Sequence, residues 1–125
     1  MKAKEIFETT AALMFASSQG DKEEAALLFI PVLNIFLQEN LEANNTLRCA
    51  RDKELLSKAP YIKNMEEDVD FEDEMTRQIL PFGCAAYLLA EDEEGISADY
   101  KNKYEYERTK VLCAVYEMTE DVWNA

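Results

Sequence analysis

Histidine is absent from this 125-residue chain. Without it there is no serine–histidine or cysteine–histidine nucleophile and no histidine-containing zinc or iron site. The three glycines, Gly20, Gly83 and Gly95, are too few and too far apart for a phosphate-cradling G-x-x-x-x-G-K loop or a G-x-G-x-x-G turn. Cys49, Cys84 and Cys113 form no C-x-x-C pair and are odd in number, which points to reduced thiols rather than a disulfide framework or zinc knuckle. Carboxylates are the remaining chemistry. Asp68-x-Asp70-x-Glu72 has the opening of a calcium loop, but the sixth position is Asp73 and the twelfth is Ile79, where such a loop needs glycine and glutamate. A di-iron carboxylate bundle needs Glu-x-x-His pairs. Two carboxylates suffice for glycoside hydrolysis, yet 26 acids make chance pairs plentiful and no sugar-binding cleft singles one out. The expectation is no catalytic residue, no metal and no cofactor.

The charge is unevenly spread. With 13 bases against 26 acids the net charge is -13. Residues 1–64 hold 8 bases and 9 acids, net -1, and residues 65–125 hold 5 bases and 17 acids, net -12. Five bases, Arg48, Arg51, Lys53, Lys58 and Lys63, are followed closely by seven acids in the nine positions from Glu66 to Glu74. A chain this acidic repels phosphate backbones, so the basic block reads as a partner contact. The candidate partner-contact charges are Arg48, Arg51, Lys53, Asp68, Asp70 and Asp73, two adjacent blocks of opposite sign that suit head-to-tail neighbours. Glu5 and Glu8 interrupt the start where an export signal would begin its apolar run. The most apolar stretch, Ala25 to Leu37, has 13 residues and contains Pro31 and Asn34, short of the roughly 20 that cross a bilayer.

Three glycines and three prolines leave few turn residues, which favours long helices with few loops. The reading is all-α: one domain over 1–125 and about four helices in a small bundle. Positions 6, 7, 10, 13, 14 and 17 trace one helical face, softened by Thr10 and Ser17, and mark a first helix over 3–17, stopped by Ser17 to Gly20. Asp21 and Glu24 form a capping pair for a second, reaching about Ala43 with a kink at Pro31. A long irregular loop occupies residues 46–71. A third helix opens near Glu72 or Asp73, its acids meeting the dipole, and is interrupted at Pro81. The last begins near Ile96 or Ser97, with Tyr100, Tyr104, Val111, Val115, Met118 and Val122 in one stripe. Nine large apolar residues between Leu27 and Leu37 exceed one amphipathic stripe. That helix is either the centre of the bundle or a subunit contact through Leu28, Phe29, Val32, Leu33 and Phe36.

The stretch from Ala59 to Glu94 resembles a segment of small head–tail connector (adaptor or head-completion) proteins of tailed phages and prophages. It has a proline-containing loop, an acidic Asp68–Met75 element, Leu80-Pro-Phe-Gly-Cys-Ala-Ala-Tyr-Leu-Leu89, and acids at Glu91 to Glu94; Tyr100-x-x-x-Tyr104-Glu105 then follows. Cys84 replaces a more usual aliphatic residue. The resemblance spans residues 20–118 and implies a virion structural protein without catalysis. Such a protein forms a homo-oligomeric ring between portal and tail-completion proteins, around a DNA exit channel; the net -12 of residues 65–125 adds the expectation of an acidic wall that does not bind DNA tightly. It resides in the host cytoplasm before assembly and in the virion neck afterwards, with no membrane contact. An acidic DNA mimic that inhibits a DNA-binding partner fits the same charge and the missing histidine, and an enzyme is a third class.

Overall fold

A computed structural model describes residues 1–15 and 22–124, the side chains of 114–124 excepted. The expected stop at Ser17 to Gly20, the Asp21 cap and the Val115, Met118 and Val122 stripe lie outside the described residues and side chains. Among the described residues the fold is all-α, with five helices: α1 (Ala3–Met14), α2 (Lys22–Glu39), α3 (Leu41–Ala50), α4 (Leu80–Leu89) and α5 (Glu94–Asn124). A π-helical turn, Met75–Ile79, leads directly into α4. Among the described residues the only β pairing is an isolated antiparallel bridge between Lys2 and Asp68.

Helix α4 is mostly buried, with Leu80, Pro81, Gly83, Cys84, Ala85, Ala86 and Leu89 inside and Tyr87 exposed, and packs against α1, α2 and α5. Its small residues let three helices approach. A methyl group on Gly83 would lie 3.0 Å from both the Phe36 and the Tyr104 rings, which meet edge to face at 5.4 Å. The core continues through Ile6, Phe29, Leu33, Leu37, Met75 and Ile79. Burial pushes the Cys84 thiol well above its ordinary pKa, so it behaves as a small apolar side chain.

The two internal prolines act differently from the expected pair of kinks. Helix α2 continues through Pro31. Proline there takes the partner from the Leu27 carbonyl, but Pro31 and Leu27 are both exposed, so water can take that bond. The change of direction comes at Asn40, where α2 ends and α3 leaves at 56°. Asn40 is fully buried. Its Nδ2 donates to the Phe36 carbonyl (2.8 Å) and the Tyr104 hydroxyl (2.9 Å), and its Oδ1 accepts from Arg108 Nε (3.1 Å). The Tyr104 hydroxyl in turn donates to Glu39 Oε1 at 2.6 Å; burial, and then this bond, raise its pKa. The bend is thereby tied to the middle of α5. At Pro81 the preceding turn widens, with the Leu80 N–H donating to the Met75 carbonyl five residues back. A π turn spaces the chain around a residue that cannot donate.

The expected irregular loop at 46–71 starts later, because α3 runs to Ala50. It ends in a Schellman pattern: the Asp52 N–H donates to the Cys49 carbonyl (3.2 Å) and the Lys53 N–H to the Arg48 carbonyl (2.9 Å). Asp52 takes the left-handed φ of 55°, where glycine is the usual signal. Residues 53–72 then form an extended strap pinned to the helices. Asn34 on α2 makes a reciprocal pair with Ile62, donating to its carbonyl (2.9 Å) and accepting its N–H (2.8 Å). Asn45 on α3 does the same with Leu56, both bonds at 2.9 Å. Asn44 Oδ1 accepts the Glu72 N–H at 2.7 Å. The Met65 and Glu67 carbonyls accept the first N–H groups of α1, from Lys4 and Ala3, both at 2.9 Å.

Substituting Gly83→Ala is expected to cost about 1–3 kcal/mol through overpacking. Gly95→Ala, where nothing lies within 4 Å of the added carbon, should be neutral or stabilise by up to about 1 kcal/mol through helix propensity. Urea unfolding of the two variants beside the parent checks both.

Candidate interaction surface

The opposed charge blocks meet each other within the chain. Arg48, on α3, donates to Asp70 Oδ1 at 2.8 Å and to the Asp70 carbonyl at 3.2 Å. Arg51 bridges Glu72 (2.9 Å) and Glu74, and Lys53 donates to both Glu72 oxygens at 2.9 and 3.2 Å. Lys2 and Lys4 on the α1 side reach Glu66, each at 3.4 Å. Glu72 is the buried member, its side chain 7% exposed. Burial pushes its carboxyl up, but hydrogen bonds from Lys53 and Arg51 outweigh that and hold it below the ordinary range. Glu74, and then Glu72, raise the Arg51 guanidinium.

The expected partner-contact charges are thus largely committed to this latch. Arg48, Arg51, Lys53 and Asp70 pair internally instead of presenting free charge. Asp68 is exposed beside the Lys2 bridge, 4.0 Å from the Met1 ammonium. Asp73 is exposed in the first helical turn before the π segment. The calcium-like triplet does not converge, since Asp68, Asp70 and Glu72 each have a different cationic neighbour.

The expected subunit contact also divides. Phe29, Val32, Leu33 and Phe36 are buried in the chain's own core, a correction to their reading as interface residues: this face of α2 is the one covered by its own helices. Only Leu28 of the five is exposed. Opposite the buried stripe lies a second apolar face that the residue choice missed, with Leu27 82% exposed, Ile35 50% exposed and Pro31 also at the surface. Their i, i+4, i+8 spacing was the available signal. The strap flanks this face. Ile62 is buried by its pairing with Asn34, so the neighbouring Tyr61 and Lys63 stand outward, as alternation along an extended segment requires. Tyr61 is 73% exposed. Together Ile30, Pro31, Ile35, Tyr61 and Lys63 line an open groove of about 750 Å³ around the Asn34–Ile62 pair. No sequence signal paired Asn34 with Ile62, because 28 residues separate them.

Among the described residues no single helix is long and apolar enough to cross a membrane. No family model, curated protein or solved structure matches this chain.

The depressed Glu72 carboxyl stabilises the fold fully above its unfolded pKa, and this contribution is lost as pH falls through the lower folded value. Glu72→Gln should cost about 1.5–3 kcal/mol at pH 7, the range for hydrogen bonds to a charged group. That deficit should narrow as the pH drops below the ordinary carboxyl value of 4.5. Denaturant midpoints for both proteins measured from pH 7 to pH 3 test the sign.

Proposed function

We propose that this chain is a non-catalytic assembly protein that works through the outer face of α2. In the setting its sequence resemblance implies, it is a head–tail connector subunit. Copies form a ring between the portal and the tail-completion proteins of a tailed phage, having waited in the host cytoplasm before joining the virion neck. The observation that carries this reading is the apolar groove at Pro31, Ile35 and Tyr61. A contiguous exposed apolar surface on a small domain marks a protein contact. The latch supports it in a second way. By pairing Arg48, Arg51 and Lys53 with acids of the same chain, it withdraws these three cations of the basic block from phosphate, in keeping with a channel wall along which DNA slides.

The same pairing narrows the DNA-mimic alternative. Glu66, Asp70, Glu72 and Glu74 are engaged with the chain's own cations, so a phosphate-mimicking surface would have to lie elsewhere, on acids such as the exposed Glu91–Glu94.

Native mass spectrometry with the portal protein of the same genome tests the proposal. Ring-stoichiometric binding is expected, with at least tenfold weaker association for the Leu27→Asp, Ile35→Asp double variant. No portal binding, or binding indifferent to those changes, overturns it.

A further inference from the structure

We propose that in the free protein a second copy of this chain covers the outer face of α2, docked antiparallel about a two-fold axis at Pro31. This goes beyond the ring reading and stands apart from it, since a two-fold contact closes on itself and builds no ring.

Three observations choose this occupant. The first is the register of the exposed stripe. Leu27 and Ile35 lie four residues either side of Pro31, so an antiparallel partner centred there sets each Leu27 against the other copy's Ile35. The apolar middle is self-complementary, which an isologous contact demands. The second is charge. Glu24, seven residues before Pro31, is exposed on the same helical face by its spacing to Leu27 and Pro31. At the other end, seven residues after Pro31, Gln38 lines the groove with the exposed Lys63. The same antiparallel register carries each Glu24 to the partner's Gln38 and Lys63, giving one opposite-charge pair at each end. The third is the charge of the face itself. Two copies at net -13 repel, but Leu27, Pro31, Ile35, Gln38 and Tyr61 are uncharged and exposed, so the middle of the contact brings no like charges together.

The pairing would cover Leu27, Pro31, Ile35 and Tyr61 before assembly, protecting from indiscriminate association a surface that the ring reading needs later.

Sedimentation velocity of the full chain over a concentration series decides the matter, with circular dichroism to confirm that each variant keeps its helices. A concentration-dependent monomer–dimer equilibrium is expected, and Leu27→Asp should shift it to monomer. Glu24→Lys and Lys63→Glu, both at exposed positions, should each weaken the dimer by about tenfold or more, since every like-charge contact occurs twice. The double variant, with both charges exchanged, should recover most of the parent affinity. A monomer at all concentrations overturns the proposal, as does a dimer unaffected by Leu27→Asp. Single charge variants that the double variant fails to rescue also overturn it, pointing to a head-to-tail contact instead. Portal binding by a chain that stays monomeric would sink this pairing and leave the connector reading standing.

Discussion

Between α3 and the π turn the chain runs through residues 53–72 without a helix or sheet to satisfy its backbone. Buried N–H and C=O groups must still find partners. Side-chain amides supply them. Asn34 and Asn45 each offer a carbonyl and an amide to one strap residue, copying the two-bond exchange of an antiparallel pair. Asn44 receives Glu72, and the start of α1 is capped by strap carbonyls. Much else depends on this arrangement. It buries Ile62, Val69 and Phe71 against the helices, brings the acids to the bases, and raises Tyr61 and Lys63 beside α2.

The charge division of the sequence acquires a physical meaning through the strap. Read linearly, a basic block is followed by an acidic one. In the fold, the Schellman turn at Asp52 swings Lys53 back so that it and Arg51 meet Glu72. Most of these pairs are exposed and contribute little singly. Glu72 differs because its burial requires partners. Five cations of the near-neutral half, Lys2, Lys4, Arg48, Arg51 and Lys53, are spent on the opening acids of the other half, so the remaining negative field is shared by the uncompensated acids of both halves, Glu91–Glu94 among them.

Several features were legible in the residues. Few glycines and prolines, with apolar positions at helical spacing, led to an all-α fold and to starts near Ala3 and Asp73, while the last helix opens at Glu94, ahead of the expected Ile96 or Ser97. The excess of apolar residues between Leu27 and Leu37 correctly signalled a helix apolar on more than one side. Periodicity alone could not say which side its own bundle would take, and the residues chosen as an interface, Phe29, Val32, Leu33 and Phe36, were those that the core claims. Pro31 drew attention as a helix breaker, while the bend fell at Asn40. Proline's cost depends on whether the orphaned carbonyl reaches water, and that is set by exposure.

What the sequence by itself determined is what local chemistry dictates: the helical class, the want of imidazole, and opposed charge blocks spaced closely enough to meet. The tertiary structure decided the partners. Asn34 with Ile62, Asn40 with Tyr104 and Arg108, and Gly83 beneath two aromatic rings join positions between 21 and 68 residues apart or packed from different helices. No local propensity encodes such pairings. They exist because once the helices pack, nearly all buried polar groups need partners and each close approach must fit, and only the assembled chain presents those demands together.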